Sequence, residues 1–532
     1  MSAERLFRML GLVDPALVEE ALEVRARRRA PWTRWAALAA CLALVVGLGW
    51  AATGGFDGYG AGMSGGDASG SGVSGPGADI GEPGEGGNCY DGVGEGVSFL
   101  SYAGPVFPLT VLENPEGLTA ERTVTWDFAP GVYPDGEPRQ WGAEVTDAYV
   151  LRNGTEEDIT VTALYPFAGS LGGLTEVRPA VTVDKETVET GLYAGPYSGG
   201  FESTYGAEMP DTMNLDSLDS WTEYKALLES GAYLRQALAA YPVLETPVTV
   251  YEFSDFSAPH ETYQAATQAI SFDIDPVRTT VLTYGINGME WDGSFRRYSY
   301  FVPDGVRNEP EQKMLVVLGE DIGDYTLQGY QDGGCDPGKE IGGVSCTVTR
   351  SETTLDAVLD RLCRFYQERY GLSRGDRENA FDAVPFEIYR GAAAELLAGY
   401  GAVSGAPADR YGDGRLDEIL SETLSHDRVL YLSFPVTVPA GGSAEAACVL
   451  WKEPSYDFGC SGSENVGLQG YDLTTRLGSS LEFTRQRAAL VNAEHVEITG
   501  QDYGFDLENG VSSVELDLER ECYYLEIRPR EG

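Results

Sequence analysis

The sequence predicts an α+β protein: one N-terminal transmembrane helix, a flexible tether, and an extracellular antiparallel β-sandwich with an inserted α+β region. Three observations predict it. An uncharged apolar run lies at residues 35–52, a glycine-rich stretch follows it, and alternating strand patterns near both ends of the remaining chain flank a middle with helical periodicity. The chain has 532 residues, with 83 Asp and Glu against 37 Lys and Arg for a formal charge of -46. Such a polyanion gains nothing from counterion release on nucleic acid and is repelled by anionic lipid, so no nucleic-acid partner is expected.

Residues 1–34 read as a short cytoplasmic helical segment. Leu6, Phe7, Met9 and Leu10 make one apolar patch and Leu17, Ala21, Leu22 and Val24 another, while Asp14-Pro15 supplies an N-cap and a first-turn proline. The segment is too short for a core of its own. The run WAALAACLALVVGLGWAA, residues 35–52, would be about 27 Å long as a helix, close to the hydrocarbon core of a bilayer. Arg25, Arg27, Arg28, Arg29 and Arg34 precede it and Asp57 and Asp67 follow, which orients its amino end to the cytoplasm, with Trp32, Trp35 and Trp50 at the interfaces. The lipid bilayer is thus the first expected partner. A cleaved signal peptide fits less well, because the charged preamble is too long. Cys41 ends a Leu-Ala-Ala-Cys sequence like a lipid-attachment motif, but few apolar residues precede it, and it reads as a thiol within the span.

The stretch FRMLGLVDPALVEEALEVRARRRAPWTRWAALAACLALVVGLG resembles the amino-terminal segment of clostridial single-pass membrane proteins, some of them anti-sigma-factor-like. The resemblance implies a single-pass topology and a cytoplasmic protein partner at residues 1–34. It brings no zinc set, since neither a His nor paired Cys precedes the span.

Residues 53–96 hold 18 Gly among Ser, Asp and Glu, a composition that cannot offset its ordering entropy and reads as a linker with a mean reach of about 35 to 40 Å. Gly60–Gly65 matches GxGxxG and Gly62–Gly66 matches GxSxG, but neither follows a strand or opens a helix, as each motif requires. Residues 97–200 read as the first part of the sandwich. Val145, Tyr149 and Leu151 alternate, Asn153-Gly154 suits a tight turn, and Ile159, Val161, Ala163 and Tyr165 return, which predicts a hairpin. Residues 427–532 supply the remaining strands. A second hairpin is expected from Leu430, Leu432, Phe434, Val436 and Val438 through Pro439–Gly442 to Ala446, Cys448 and Leu450, with strands at 496–498, 511–518 and 523–527. Between them, 201–426 is the α+β insertion. Leu355, Val358, Leu359, Leu362 and Tyr366 mark a helix stopped at Gly371, further helices are expected at 217–240, 376–399 and 413–425, and strands at 279–284 and 314–318. Two separate β domains flanking an α+β domain are the alternative.

The chemistry-bearing residues form no catalytic motif, and no catalytic, cofactor or metal residue is assigned. His260, His426 and His495 are isolated, and neither HExxH nor C-x-x-C occurs. Cys335 with Cys346, and Cys448 with Cys460, have spacings that bridged loops could use, and buried thiols fit equally well. Asp409, Asp413, Gly414 and Asp417 match four positions of a calcium loop, but Tyr411 and Leu420 occupy places that need ligands, so an acidic helix start is the simpler reading. Phe295–Phe301 could present an aromatic ligand surface, though its alternation describes a half-buried strand. The resulting expectation is a non-enzymatic membrane-anchored extracellular binding or sensing protein. A transmembrane regulator of anti-sigma type is the alternative, and a cell-surface hydrolase comes third.

Overall fold

Two stretches that each look like a hairpin in sequence instead cross between sheets and pair with one another. The computed structural model describes residues 103–530 apart from 114, 134–137, 140, 198–224, 227, 305–311, 374–379, 407–409, 412–413 and 458–466. The expected cytoplasmic segment 1–34, span 35–52 and tether 53–96 lie outside the described residues. The chain divides into two units, Met1–Gly86 with Phe458–Leu468 and Gly87–Asp457 with Gln469–Gly532, and the elements below belong to the second. Strands dominate it and helices are few.

The sandwich candidates are β1 (Leu118–Asp127), β2 (Ala143–Asn153), β3 (Ile159–Ser170), β4 (Asp427–Val438), β5 (Ser443–Lys452) and β6 (Glu482–Val491). One sheet has seven strands in the order Ser513–Glu515, β6, β1, β2, β5, Ala180–Val183, Glu186–Thr187. A second has four, in the order Thr110–Val111, β3, β4, Gly191–Tyr197. The expected hairpin between β2 and β3 is therefore absent, because β2 pairs with β1 and β5 while β3 pairs with β4. The second expected hairpin fails in the same way: β4 lies against β3 and β5 against β2. Each of the two is an arch from one sheet to the other. Val145, Tyr149 and Leu151 share one core with Val161, Ala163, Tyr165, Leu432, Phe434, Ala446 and Leu450. The alternation is the same whether the return strand lies beside the first or opposite it, which is why periodicity alone suggested hairpins.

The arch loops hold each other. Asn153, 3% exposed, donates from Nδ2 to Glu157 O at 2.7 Å and to Val438 O at 3.1 Å. Its Oδ1 accepts from Thr155 N at 2.8 Å and Thr155 Oγ1 at 2.7 Å. Across the loops, Asn153 N donates to Gly442 O at 3.0 Å, Gly441 N to Thr155 O at 2.9 Å, and Ala440 N to Asp158 Oδ1 at 2.9 Å. Asn153-Gly154 thus shapes a crossing loop through its side chain rather than serving as a two-residue turn. The expectation of a wholly antiparallel arrangement also needs correction, since β1 and β6 run parallel.

The middle of the chain folds into two further sheets and helices. Pro247–Ser257, Thr279–Tyr284, Lys313–Gly319 and Ser345–Thr354 form a four-stranded sheet that is apolar on both faces. Val248, Val250, Leu282, Met314 and Val316 join the main core, whereas Tyr251, Phe253, Leu315 and Val317 pack with Ile270, Phe272, Tyr298 and Tyr300 of a five-stranded sheet. Burial on both sides explains the unbroken apolar run Met314–Leu318.

Helix α1 (Leu355–Ser373) runs past the expected stop at Gly371 and buries Leu355, Val358, Leu359 and Leu362. Helix α2 (Phe386–Gly399) starts later than expected, at a position preceded by Pro385, which suits a helix entry. Its Gly391 is needed because a Cβ there would lie 2.2 Å from the Tyr241 ring. Helix α3 (Leu416–Ser425) lies within the expected 413–425. Of the helix expected at 217–240, the described part contains Ala232–Ala237, and residues 217–224 lie outside the described residues.

Candidate functional site

Two polar centres are built into the paired sheets, one internal and one open to solvent. The internal centre starts from Arg122 on β1 and Asp147 on β2, both with fully buried side chains. Arg122 Nε and Nη2 each donate to an Asp147 carboxylate oxygen at 2.8 Å. The remaining donors reach Thr474 O at 2.6 Å and Phe107 O at 3.0 Å. Tyr149 Oη donates to Asp147 Oδ2 at 2.7 Å and accepts from Leu109 N at 2.9 Å. Burial pushes the phenols of Tyr149 and Tyr165 well above the usual range, with Asp147 adding to the rise and Arg122 opposing it. A bidentate, enclosed pair with satisfied donors is a structural tie between strands and offers no approach to a substrate.

The open centre lies at the ends of β4 and β5 remote from the arch loops. Lys452, 5% exposed, is the last residue of β5 and donates from Nζ to Glu453 O at 2.6 Å. Burial lowers its ammonium to about 8, against the opposing pull of Glu453, Asp472 and Asp427. Burial raises Glu453 to about 7, and Asp427 also shifts upward for that reason. Asp427 and Glu453 are nevertheless exposed, whereas Lys452 is buried.

Ala143, the register partner of Lys452, follows Gly142, whose N donates to Gln469 Oε1 at 3.3 Å. Tyr471 Oη donates to the same oxygen at 2.6 Å. Beside them, the Arg139 guanidinium lies 4.7 Å from the Tyr133 ring centroid and 5.1 Å from that of Trp451, with Nη2 3.7 Å from Glu176 Oε2. This grouping of a buried amine, solvent-reaching carboxylates and shifted titrations is the arrangement expected of a binding or reactive site. A shallow trough of 170 Å³ also lies on the outer face of the seven-stranded sheet, lined by Thr123, Ala148, Val150, Thr182 and Ala447 among others. The charged side chains of Glu121, Lys185 and Glu445 also line it.

The candidates singled out in sequence are dispersed. His260 sits in the middle region, its Nε2 3.2 Å from Pro303 O. His426 follows α3, and burial, with Arg428 next, lowers it to about 4. His495 is exposed between β6 and Val496–Gln501. Cys335, Cys346 and Cys448 are free thiols, which overturns bridges from Cys335 to Cys346 and from Cys448 to Cys460. Cys448 faces Asp147 in the buried ladder, where no loop closes on it, while Cys522 is disulfide-bonded.

Asp417 lies in the first turn of α3, 3.2 Å from Arg415 Nη2, and Asp409 and Asp413 lie outside the described residues. Among the described residues no group of three or more His, Cys, Asp or Glu is placed to hold a metal ion. In the aromatic run, Tyr298 and Tyr300 are buried in the core between the two middle sheets. Lys452, Asp427 and Glu453 were missed in sequence because residues 427 and 452 are the outer ends of two strands that an arch, not a hairpin, places in facing sheets. No protein-family model matches this chain, and no curated protein matches it.

Proposed function

We propose that this chain is a membrane-anchored, extracytoplasmic, non-enzymatic binding protein. In this reading a β-sandwich made from residues 97–200 and 427–532 carries the inserted region 201–426. The observation that carries the reading is the uncharged run 35–52, with its Arg cluster before it and acidic residues after it. The β3–β4 and β2–β5 pairings support the sandwich with insertion over two separate β domains. The disulfide at Cys522 fits an oxidising compartment. Among the described residues no helix is long and apolar enough to cross a membrane, so in this reading the anchor is the 35–52 segment. A reporter fused after residue 60 tests the topology: activity outside the cytoplasm supports it, and activity inside overturns it.

The two apolar patches of residues 1–34 favour one second reading, a transmembrane regulator that holds a cytoplasmic protein. A saturable partner captured by a peptide of residues 1–34 would support it, whereas absence of one leaves the segment as an orientation signal.

A further inference from the structure

We propose that two copies of this chain pair edge to edge through the strand Ser345–Thr354, antiparallel and with Ser351 on the twofold axis, an inference that goes beyond the reading above and does not depend on it. This strand has ten residues, is the last of its four-stranded sheet and pairs on one side only, with Pro247–Ser257. Thr349, Arg350, Ser351, Glu352 and Thr353 are all exposed. Because alternate side chains of a strand point to opposite faces, five exposed residues in a row mean that the described residues leave both faces and the outer edge open there. Among the described residues the other terminal strands are covered or short. Thr283 N of Thr279–Tyr284 donates to Gly414 O at 2.6 Å, a helix at Ala232–Ala237 packs on Gly191–Tyr197, and the rest have two to six residues. Folded proteins shorten or cover their edges against pairing, so a long open one marks a pairing surface.

Register selects a second copy as the occupant. Leu355 N donates to Thr246 O at 2.9 Å and Thr354 faces Pro247, so Thr349, Ser351 and Thr353 turn their backbone groups inward while Val348, Arg350 and Glu352 turn theirs outward. When two such edges join, outward residues face outward residues. A twofold axis at Arg350 would set Arg350 against itself, one at Glu352 would set two carboxylates together, and one at Thr349 forms no charge pair. An axis at Ser351 places Arg350 opposite the second copy's Glu352 on both sides of the axis. Opposite charges facing across two strands add to their pairing, and like charges subtract from it. Both side chains are open to such a contact, Arg350 at 46% and Glu352 at 71% exposure. Within one chain they already meet at 2.8 Å, so the joined edge carries four charges of alternating sign.

The test is sedimentation velocity on the full chain in detergent at about 150 mM salt, which screens the long-range repulsion between two acidic chains. A dimer is expected with a Kd of about 1 to 100 μM, and Glu352→Arg, which sets arginine against Arg350 of the second copy, should weaken it roughly tenfold or more. Exchanging the two, Arg350→Glu with Glu352→Arg, should restore it. The exchange also removes the bond from Arg350 Nε to Asp321 Oδ2, so the unfolding midpoint of each variant is measured beside it. Ser351→Cys answers without any change of charge: the two Cα atoms at the axis would lie about 4.5 Å apart, within disulfide reach, and mild oxidant should yield a peptide joined from 351 to 351 between copies. A monomer at about 100 μM, a dimer that Glu352→Arg leaves intact, a folded exchange variant that stays monomeric, or a folded Ser351→Cys variant that stays unlinked overturns the inference.

Discussion

Arg122 and Asp147 show what one buried residue pair does in this protein. Their mutual bonds and the bonds of Arg122 to Thr474 O and Phe107 O tie four chain segments together. Asp147→Asn leaves the guanidinium without its counter-charge in a dry interior, and should cost about 3 to 5 kcal/mol in urea unfolding. A double replacement, Arg122→Met with Asp147→Leu, should recover much of that loss. Lys452 behaves oppositely. Its folded value, about 8, lies below the usual 10.5, so the charged form is disfavoured in the folded state. The penalty is complete below pH 8 and is relieved as pH rises toward 10.5. Lys452→Met should therefore stabilise the protein by on the order of 2 kcal/mol at pH 7, with the gap closing by alkaline pH.

Glu453 is raised from 4.5 to about 7, so its penalty is absent below 4.5 and complete above 7. Glu453→Gln should accordingly outlast the native protein in unfolding scans at pH 8 and match it at pH 4. Because the carboxylate reaches solvent, the difference will be modest.

The arch is the element on which the architecture depends. The apolar faces of β2, β3, β4 and β5 were readable in sequence because alternate residues meet the core. Partner choice was not readable: a hairpin and an arch bury the same alternate residues, and Asn153-Gly154 is a favoured turn pair in isolation. What selects the arch is distant in sequence, in the bonds from Asn153 and Thr155 to Val438, Gly441 and Gly442. Asn153→Ala removes both acceptor and donor roles and should lower stability by about 2 to 3 kcal/mol, with limited proteolysis shifted toward residues 154–158 and 439–442. The α1 periodicity was readable for the simpler reason that its contacts repeat along one face. Lys452 and Asp427 were invisible as a site because nothing local distinguishes Asp427 among 83 acids.

At the scale of the molecule, residues separated by the whole middle region form adjacent strands, so neither end can complete its sheets alone. Deleting residues 427–532 strips β3 of β4 and β2 of β5, returning a few hundred Å² or more of apolar area to water. At about 25 cal/mol per Å² that costs several kcal/mol, comparable with the stability of a typical domain, and the shortened chain should aggregate or unfold.

The pairing itself can be measured. Thr160 and Thr437 are register partners on β3 and β4, both exposed, with their hydroxyls 3.0 Å apart. With Thr160→Cys and Thr437→Cys introduced together and mild oxidant added to the folded full chain, mass spectrometry should find a peptide linking positions 160 and 437. A folded variant that leaves both new thiols reactive, with no such link, would contradict the arch pairing and with it the interlocked architecture.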